Sequence, residues 1–198
     1  MARRKLSARA RWLWGGVAAA VLLVAVAGAL VFQPWLLFID VRVADAIPTV
    51  QATTSTEPTS GPAPTGAIEP AEAPTTAPTR PAGPVDLLTG VLVSHEHATS
   101  GTVRVIELPD GARQLALEGL ETSNGPDVHV WLSAGPVIEG SDGWFTAGGY
   151  DHIDLGPIKG NLGDQLYDIP GGVDLTVFRT VDLWCERFAV SFGAAALS

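Results

Sequence analysis

The first feature of the hydrophobic pattern is an apolar run from Trp12 to Phe32 that contains no charged residue. Its roughly 21 residues are enough for a helix to cross about 30 Å of hydrocarbon, so the pattern predicts one transmembrane helix over 12–32. The basic residues before the run lie at positions 3, 4, 5, 9 and 11. The positive-inside rule then keeps residues 1–11 in the cytoplasm. We predict a single-pass protein of the cell membrane whose C-terminal part is extracytoplasmic.

A cleaved signal peptide is the alternative to this signal-anchor. Ala27, Gly28 and Ala29 are small residues of the kind that a signal peptidase accepts. The apolar run is longer than a typical signal-peptide core, however, and apolar residues resume at Trp35 after a short break. Trp12, Trp14 and Trp35 also lie where interfacial aromatic anchors are expected.

Residues 33–84 lose the apolar pattern and read as a juxtamembrane segment followed by a disordered linker. Nine of the 15 prolines fall between Asp45 and Pro84, among Thr and Ala residues. Such a composition cannot form a hydrophobic core. An extended Pro-rich chain rises at most about 3.1 Å per residue, so this linker would lift the next domain by up to about 120 Å. An O-glycosylated stalk would have the same composition, so it remains an alternative interpretation of this segment.

From residue 85 to 198 the pattern changes to short alternating runs with turn signals every 8 to 12 residues, which predicts an all-β fold. The predicted fold is an antiparallel β-sandwich ectodomain after one transmembrane helix and a disordered linker. Seven strands are expected, at 88–95, 102–108, 113–118, 128–133, 166–169, 175–180 and 182–192.

Alternation assigns the faces of two of these strands. Val128, Val130 and Leu132 share one face, and His129 and Trp131 lie on the other. In the last strand, Cys185 and Arg187 share a face, opposite an apolar row formed by Trp184, Phe188, Val190 and Phe192. Glu186 falls into that apolar row, where a carboxylate is not expected unless a β-bulge intervenes.

Charge narrows the choice of partners. Only seven basic residues follow the apolar run, against all 21 acidic ones, which gives a net charge of −14. Such a surface repels polyanions, so a nucleic-acid partner is not expected.

Four stretches together resemble the DM-thirteen domain family. They are SHEHATSGTVRV (94–105), GPDVHVWLS (125–133), DLGPIKGNLGDQLYDIP (154–170) and VDLWCERFAVSFGAAAL (181–197). The resemblance implies a sandwich related to DOMON-type domains and a role in electron transfer or redox chemistry. It marks Cys185 as the redox residue, acting as a free thiol or by holding a prosthetic group such as haem.

Cys185 is the only cysteine, so an internal disulfide is excluded. The residues alone leave two interpretations open. Arg187, two positions along the same predicted strand, would favour a reactive thiolate. Free cysteine is also among the most buried residue types, and Cys185 would then be a structural core residue.

Four histidines are candidate ligands. His95 and His97 are two residues apart, and on a strand this spacing would point both imidazoles toward one metal. A non-covalent redox cofactor would be held by a pair from Cys185, His97 and His129; binding of no cofactor is the alternative. Without C-x-x-C-H, covalent haem is excluded.

Two functional hypotheses follow. The first is a redox or electron-transfer domain centred on Cys185 that works with a separate redox or protein partner. The second is a non-catalytic binding or adhesion module with a structural cysteine, in which an exposed face around His129 and Trp131 contacts the partner.

Overall fold

The computed structural model describes residues 8–33, 35, 39–49 and 83–198. One helix, α1, spans Ala8–Phe32. The strands are β1 (Arg42–Ala44), β2 (Val85–Val91), β3 (Val93–Ser94), β4 (Ser100–Glu107), β5 (Arg113–Glu121), β6 (Val128–Ser133), β7 (His152–Pro157), β8 (Leu162–Ile169), β9 (Thr180–Cys185) and β10 (Val190–Ala196). The chain is therefore mainly β, with one N-terminal apolar helix, as predicted.

From Trp12 to Phe32, helix α1 has no charged residue and is apolar around its whole circumference. Its segment Trp14–Phe32 is long and apolar enough to cross a membrane, and none of it is buried against the rest of the protein. A helix on the surface of a soluble protein normally has a polar face toward water, whereas a helix that is apolar all round is buried in a core or in a membrane. This segment is therefore consistent with the predicted membrane anchor.

The strands form two sheets of five. One has the order β1-β8-β5-β4-β2 and the other the order β3-β10-β9-β6-β7. A common core joins the two sheets, with Val105, Leu115 and Leu117 from the first against Val130, Leu132 and Leu183 from the second. The predicted inward face of β6 is confirmed, since Val128, Val130 and Leu132 are all in this core.

All strand pairings within residues 85–198 are antiparallel, as predicted, and the additional strand β1 pairs with β8 in parallel. Two expectations about the strands were wrong. Residues 175–177 form a turn and 178–179 have no regular structure, where a strand was expected. The expected strand over 182–192 is a hairpin of β9 and β10, whose connection is the tight turn 186–189.

Ala189 explains why this turn was missed. Its φ is +50°, a left-handed conformation that is uncommon for a residue with a side chain. Turns of this kind are normally marked by glycine or asparagine, and 186–189 contains neither. The turn exposes Glu186 and Arg187, so Glu186 no longer lies in an apolar row.

Strand β1 attaches the segment after the helix directly to the β-domain. Its backbone passes so close to β8 that a Cβ on Gly160 would lie 2.4 Å from the Val41 carbonyl oxygen. Asn161 Oδ1 accepts a hydrogen bond from the Val41 amide at 2.7 Å, and Asp45 pairs with Lys159. The sequence showed no sign of this strand, which lies within the 33–84 segment.

The Pro-rich segment consequently leaves and re-enters the same sheet. It connects β1 at one edge to β2 at the other edge. The predicted disordered linker falls largely on residues 50–82, which lie outside the described residues.

Candidate functional site

Cys185 is the last residue of β9, and its side chain points into the core between the sheets. It is fully buried. Its strand neighbours in register are Val128 on β6 and Val190 on β10. The thiol therefore lies inside the domain at the end that carries the 186–189 turn.

Two opposing effects act on this thiol. Burial raises the pKa of Cys185, because the charged thiolate loses its hydration. Hydrogen bonding from the backbone amides of Phe188, Arg187 and Asp127 partly opposes this rise. Since Arg187 is exposed in the turn, it acts on the sulfur through its amide and not through the same-face contact that a continuous strand would have given. Because its pKa is raised overall, the thiol is protonated at neutral pH.

The structure does not bring His97 or His129 together with Cys185. His129 is on the outer face of β6, whereas the Cys185 side chain is on the inner side of the same sheet. His97 packs against the ring of Phe192, with ring centroids 3.8 Å apart, and its Nε2 pairs with Glu96 at 2.6 Å.

His129 instead stands among three carboxylates. Its Nδ1 is 2.9 Å from Asp154 Oδ2 and 4.0 Å from Glu186 Oε1, and its Nε2 is 3.5 Å from Asp127 Oδ1. Partial burial alone would lower the pKa of His129, but the Asp154 hydrogen bond and the surrounding carboxylates raise it overall. Ligand atoms of His129, Asp154 and Glu186 lie within 4.8 Å of one another, close enough to hold a metal ion.

His95 and His97 have separate surroundings. Strand β3 ends at Ser94, so both histidines lie in the bend that follows it and not on a strand. His95 is buried, and its Nδ1 is 2.7 Å from Ser191 Oγ. The strand geometry on which the shared metal site depended is therefore absent at these two residues.

A buried polar cluster on the outer face of the second sheet was not predicted. We call it the polar cluster: His95, Trp131, Asp182 and Ser191. Three of its atoms have no hydrogen-bond partner among the described residues, namely His95 Nε2, Trp131 Nε1 and Asp182 Oδ1. Trp131 and Asp182 are cross-strand neighbours. The signal available in the sequence was an acid between Val181 and Leu183 in a strand that is otherwise apolar up to Cys185.

The outer loop, residues 134–151, covers this cluster. The Ser191 amide donates to the Trp144 carbonyl at 2.8 Å, and Ala147 packs with Trp131 and Trp184. Desolvation raises the pKa of Asp182 to about 7, and a hydrogen bond from Ser191 only partly offsets this. Because Trp131 is buried here, it is not part of an exposed face with His129.

An apolar groove of about 480 Å³ opens beside the 186–189 turn. Its size is typical of ligand sites. Its apolar walls include Phe32, Trp144, Phe145, Phe188, Val190 and Phe192, and Gln33, Glu96, His97 and Asn124 add polar groups. Cys185 does not line the groove, but Val190, its partner in the hairpin, does.

Comparison with known protein families gives a match for most of the β-domain. Residues 91–197 match the family described as Electron transfer DM13. This region includes Cys185, the turn after it and the polar cluster. No curated protein and no solved structure matches the chain. With more than half of its residues in the match, including all of the strands from β4 onward, the chain belongs to the Electron transfer DM13 family.

Proposed function

We propose that this protein is a membrane-anchored DM13 β-sandwich that takes part in electron transfer outside the cytoplasm, with Cys185 as its redox centre. The observation that carries the proposal is the setting of the thiol. The only sulfur in the matched region is fully enclosed in the core at the end of β9, directly before the 186–189 turn and beside a residue of the groove wall, Val190.

Burial separates two kinds of redox chemistry. Thiol–disulfide exchange needs an incoming sulfur to reach the thiolate, and the enclosed Cys185 gives no such access. Electron transfer to a partner requires proximity and no covalent contact. The geometry therefore favours electron transfer over disulfide exchange.

The residues around Cys185 do not fit haem ligation. An axial cysteine needs space for the macrocycle beside the sulfur and, in a six-coordinate site, a second donor across it. Cys185 lies outside the groove, and the imidazole of His129 is on the other side of the sheet. The proposal therefore assigns the redox change to the thiol itself.

The anchor and its orientation rest on the first 32 residues. The apolar segment Trp14–Phe32 would span the bilayer, and the basic residues before it favour a cytoplasmic N-terminus. Protease added outside intact cells should then digest the β-domain, whereas full protection of that domain would contradict this orientation.

The groove supports a second function, the binding of an apolar partner. Its aromatic walls resemble those of small-molecule and interface sites. This function is compatible with electron transfer, since a carrier bound in the groove would contact Val190, the strand neighbour of Cys185. Binding of an apolar partner in the groove does not depend on redox activity of the sulfur.

A titration with hexachloroiridate(IV), a one-electron oxidant strong enough to oxidise a thiol, tests the redox centre on the full chain in detergent micelles. The Cys185 thiol should give one electron to the oxidant and its proton to solvent, which leaves a sulfur radical and hexachloroiridate(III). We expect the unmodified chain to consume one oxidising equivalent more than Cys185→Ser. Val181→Ala, which truncates another fully buried residue of β9, is the matched control. Equal consumption by Cys185→Ser and the unmodified chain would overturn the assignment.

A further inference from the structure

The chain between the helix and β1 is too short to hold the β-domain far from a membrane. Helix α1 ends at Phe32 and β1 begins at Arg42. The nine residues between them span at most about 35 Å when fully extended. Their path is also constrained at its far end, because Asn124 Nδ2 donates to the Ile39 carbonyl and Val41 is bonded to Asn161.

The end of the helix contacts the β-domain directly. The rings of Phe32 and Phe188 stack with centroids 5.8 Å apart and an angle of 8° between planes. Phe188 lies in the 186–189 turn, so this end of the domain meets the last residue of the helix. In a membrane-spanning α1, Phe32 would lie near the boundary between hydrocarbon and headgroups.

The same end exposes large aromatic side chains. Phe145 is 62% exposed and Phe188 is 42% exposed, and both line the groove together with Phe32. Exposed aromatic residues beside an anchor are suited to the interfacial layer of a bilayer. The apolar surface is thus continuous from the helix into the groove.

We propose that the groove end of the domain, which comprises Phe145, Phe188 and the groove walls, docks on the lipid surface next to the helix. The inference rests on the membrane anchor proposed above. Carboxylates of Glu96, Asp127 and Glu186 lie near this end and would repel anionic headgroups, so the matching surface is zwitterionic lipid. Insertion of the aromatic rings provides the attraction, and the short tether keeps their local concentration high.

In this arrangement the Pro-rich segment is not a spacer between the membrane and the β-domain. It joins the two edges of one sheet, and these are separated by four strand spacings, or about 19 Å. Its forty or so residues far exceed that span. Because β1 lies before it in the chain, its length does not set the height of the domain above the bilayer. It is a loop of the domain and not a stalk beneath it.

The test measures lipid contact at two ends of the domain in the full chain. An environment-sensitive thiol fluorophore is attached at Phe145→Cys or at Val177→Cys, in phosphatidylcholine vesicles whose lipids carry a nitroxide near the headgroup. Val177 is 50% exposed and precedes β9, at the end away from the 186–189 turn. The buried Cys185 contributes a background that is measured on the unmodified chain. We expect at least about twofold quenching at 145 and almost none at 177, given an insertion depth of ~5–10 Å.

Three further variants identify the cause of the contact. Gly160→Ala places a Cβ against the Val41 carbonyl and should release β1 and reduce the quenching at 145. Gly171→Ala, where a Cβ meets no atom within 4 Å, should leave the quenching unchanged. Removal of residues 55–74 should also leave it unchanged, whereas increased quenching after this deletion would show that the segment is a spacer and would overturn the proposal.

Flotation of the vesicles separates failure of the docking from failure of the anchor. A chain that does not float with the vesicles would contradict the membrane anchor, and with it the docking. A chain that floats but shows equal quenching at 145 and 177 would overturn the docking alone.

Discussion

Replacement of Asp182 by asparagine should raise the free energy of unfolding of the β-domain at pH 8 above that of the unmodified chain. It should also remove much of the decrease in this free energy that the unmodified chain shows as pH rises. Asp182 is 2% exposed, and burial raises the pKa of its carboxyl to about 7. In the unfolded chain the same carboxyl titrates near pH 4. The folded state therefore holds the proton more tightly than the unfolded state does.

The sign of the effect follows from this difference. Below about pH 4 the carboxyl is protonated in both states, so Asp182 adds no pH dependence to the free energy of unfolding. Between about pH 4 and pH 7 the unfolded chain releases the proton first, and stability falls as pH rises, by about 4 kcal/mol in the limit set by the two pKa values. Above about pH 7 Asp182 is ionised in the folded protein as well. Its buried carboxylate then has one oxygen, Oδ1, without a hydrogen-bond partner among the described residues.

Urea unfolding of the full chain in micelles, followed from pH 4 to pH 8, measures this effect. His95 lies in the same cluster, and burial lowers its pKa, so it acts in the opposite direction as pH falls. The difference between Asp182→Asn and the unmodified chain at each pH isolates the carboxyl. Asp110→Asn, at an exposed turn, is the matched control. A difference that does not change with pH would contradict the buried, proton-binding Asp182.

The substitution Gly143→Ala should detach the outer loop from the polar cluster. A Cβ at this position would lie 1.8 Å from the Ile138 carbonyl oxygen and 2.8 Å from His95 Nε2. Gly143 ends a short 3-10 helix, Gly140–Gly143, within the outer loop. Neither a backbone carbonyl nor a buried imidazole can give way by that amount without movement of this helix. We expect a loss of about 2–4 kcal/mol in the free energy of unfolding.

Gly149→Ala provides the control for this prediction. Gly149 lies in the same loop, and a Cβ there meets no atom within 4 Å. Its free energy of unfolding should stay close to that of the unmodified chain. Equal effects of the two substitutions would show that the loop does not pack on His95 as described.

The sequence predicted those parts of the structure that depend on local pattern. The long apolar run and the alternation of Val128, Val130 and Leu132 require only the periods of a helix and a strand, and both are seen. The family was recognised from short stretches that include the tryptophan–cysteine pair at 184–185, and this recognition is confirmed.

The parts that were missed depend on contacts distant in sequence or on unusual backbone conformations. Ala189 adopts a left-handed conformation without glycine, so the hairpin was read as one strand and Arg187 was placed beside the sulfur. Strand β1 has only three residues and is defined by its pairing with β8, about 120 residues later. The polar cluster comes from four separate segments that only the folded sheet and its bend bring together.

Protein-film voltammetry of the full chain in a lipid layer tests the electron-transfer role of Cys185 most directly. We predict a reversible one-electron wave for the unmodified chain and for the Val181→Ala control, and its loss in Cys185→Ser. Absence of the wave from the unmodified chain, or its persistence in Cys185→Ser, would contradict the assignment of Cys185 as the redox centre.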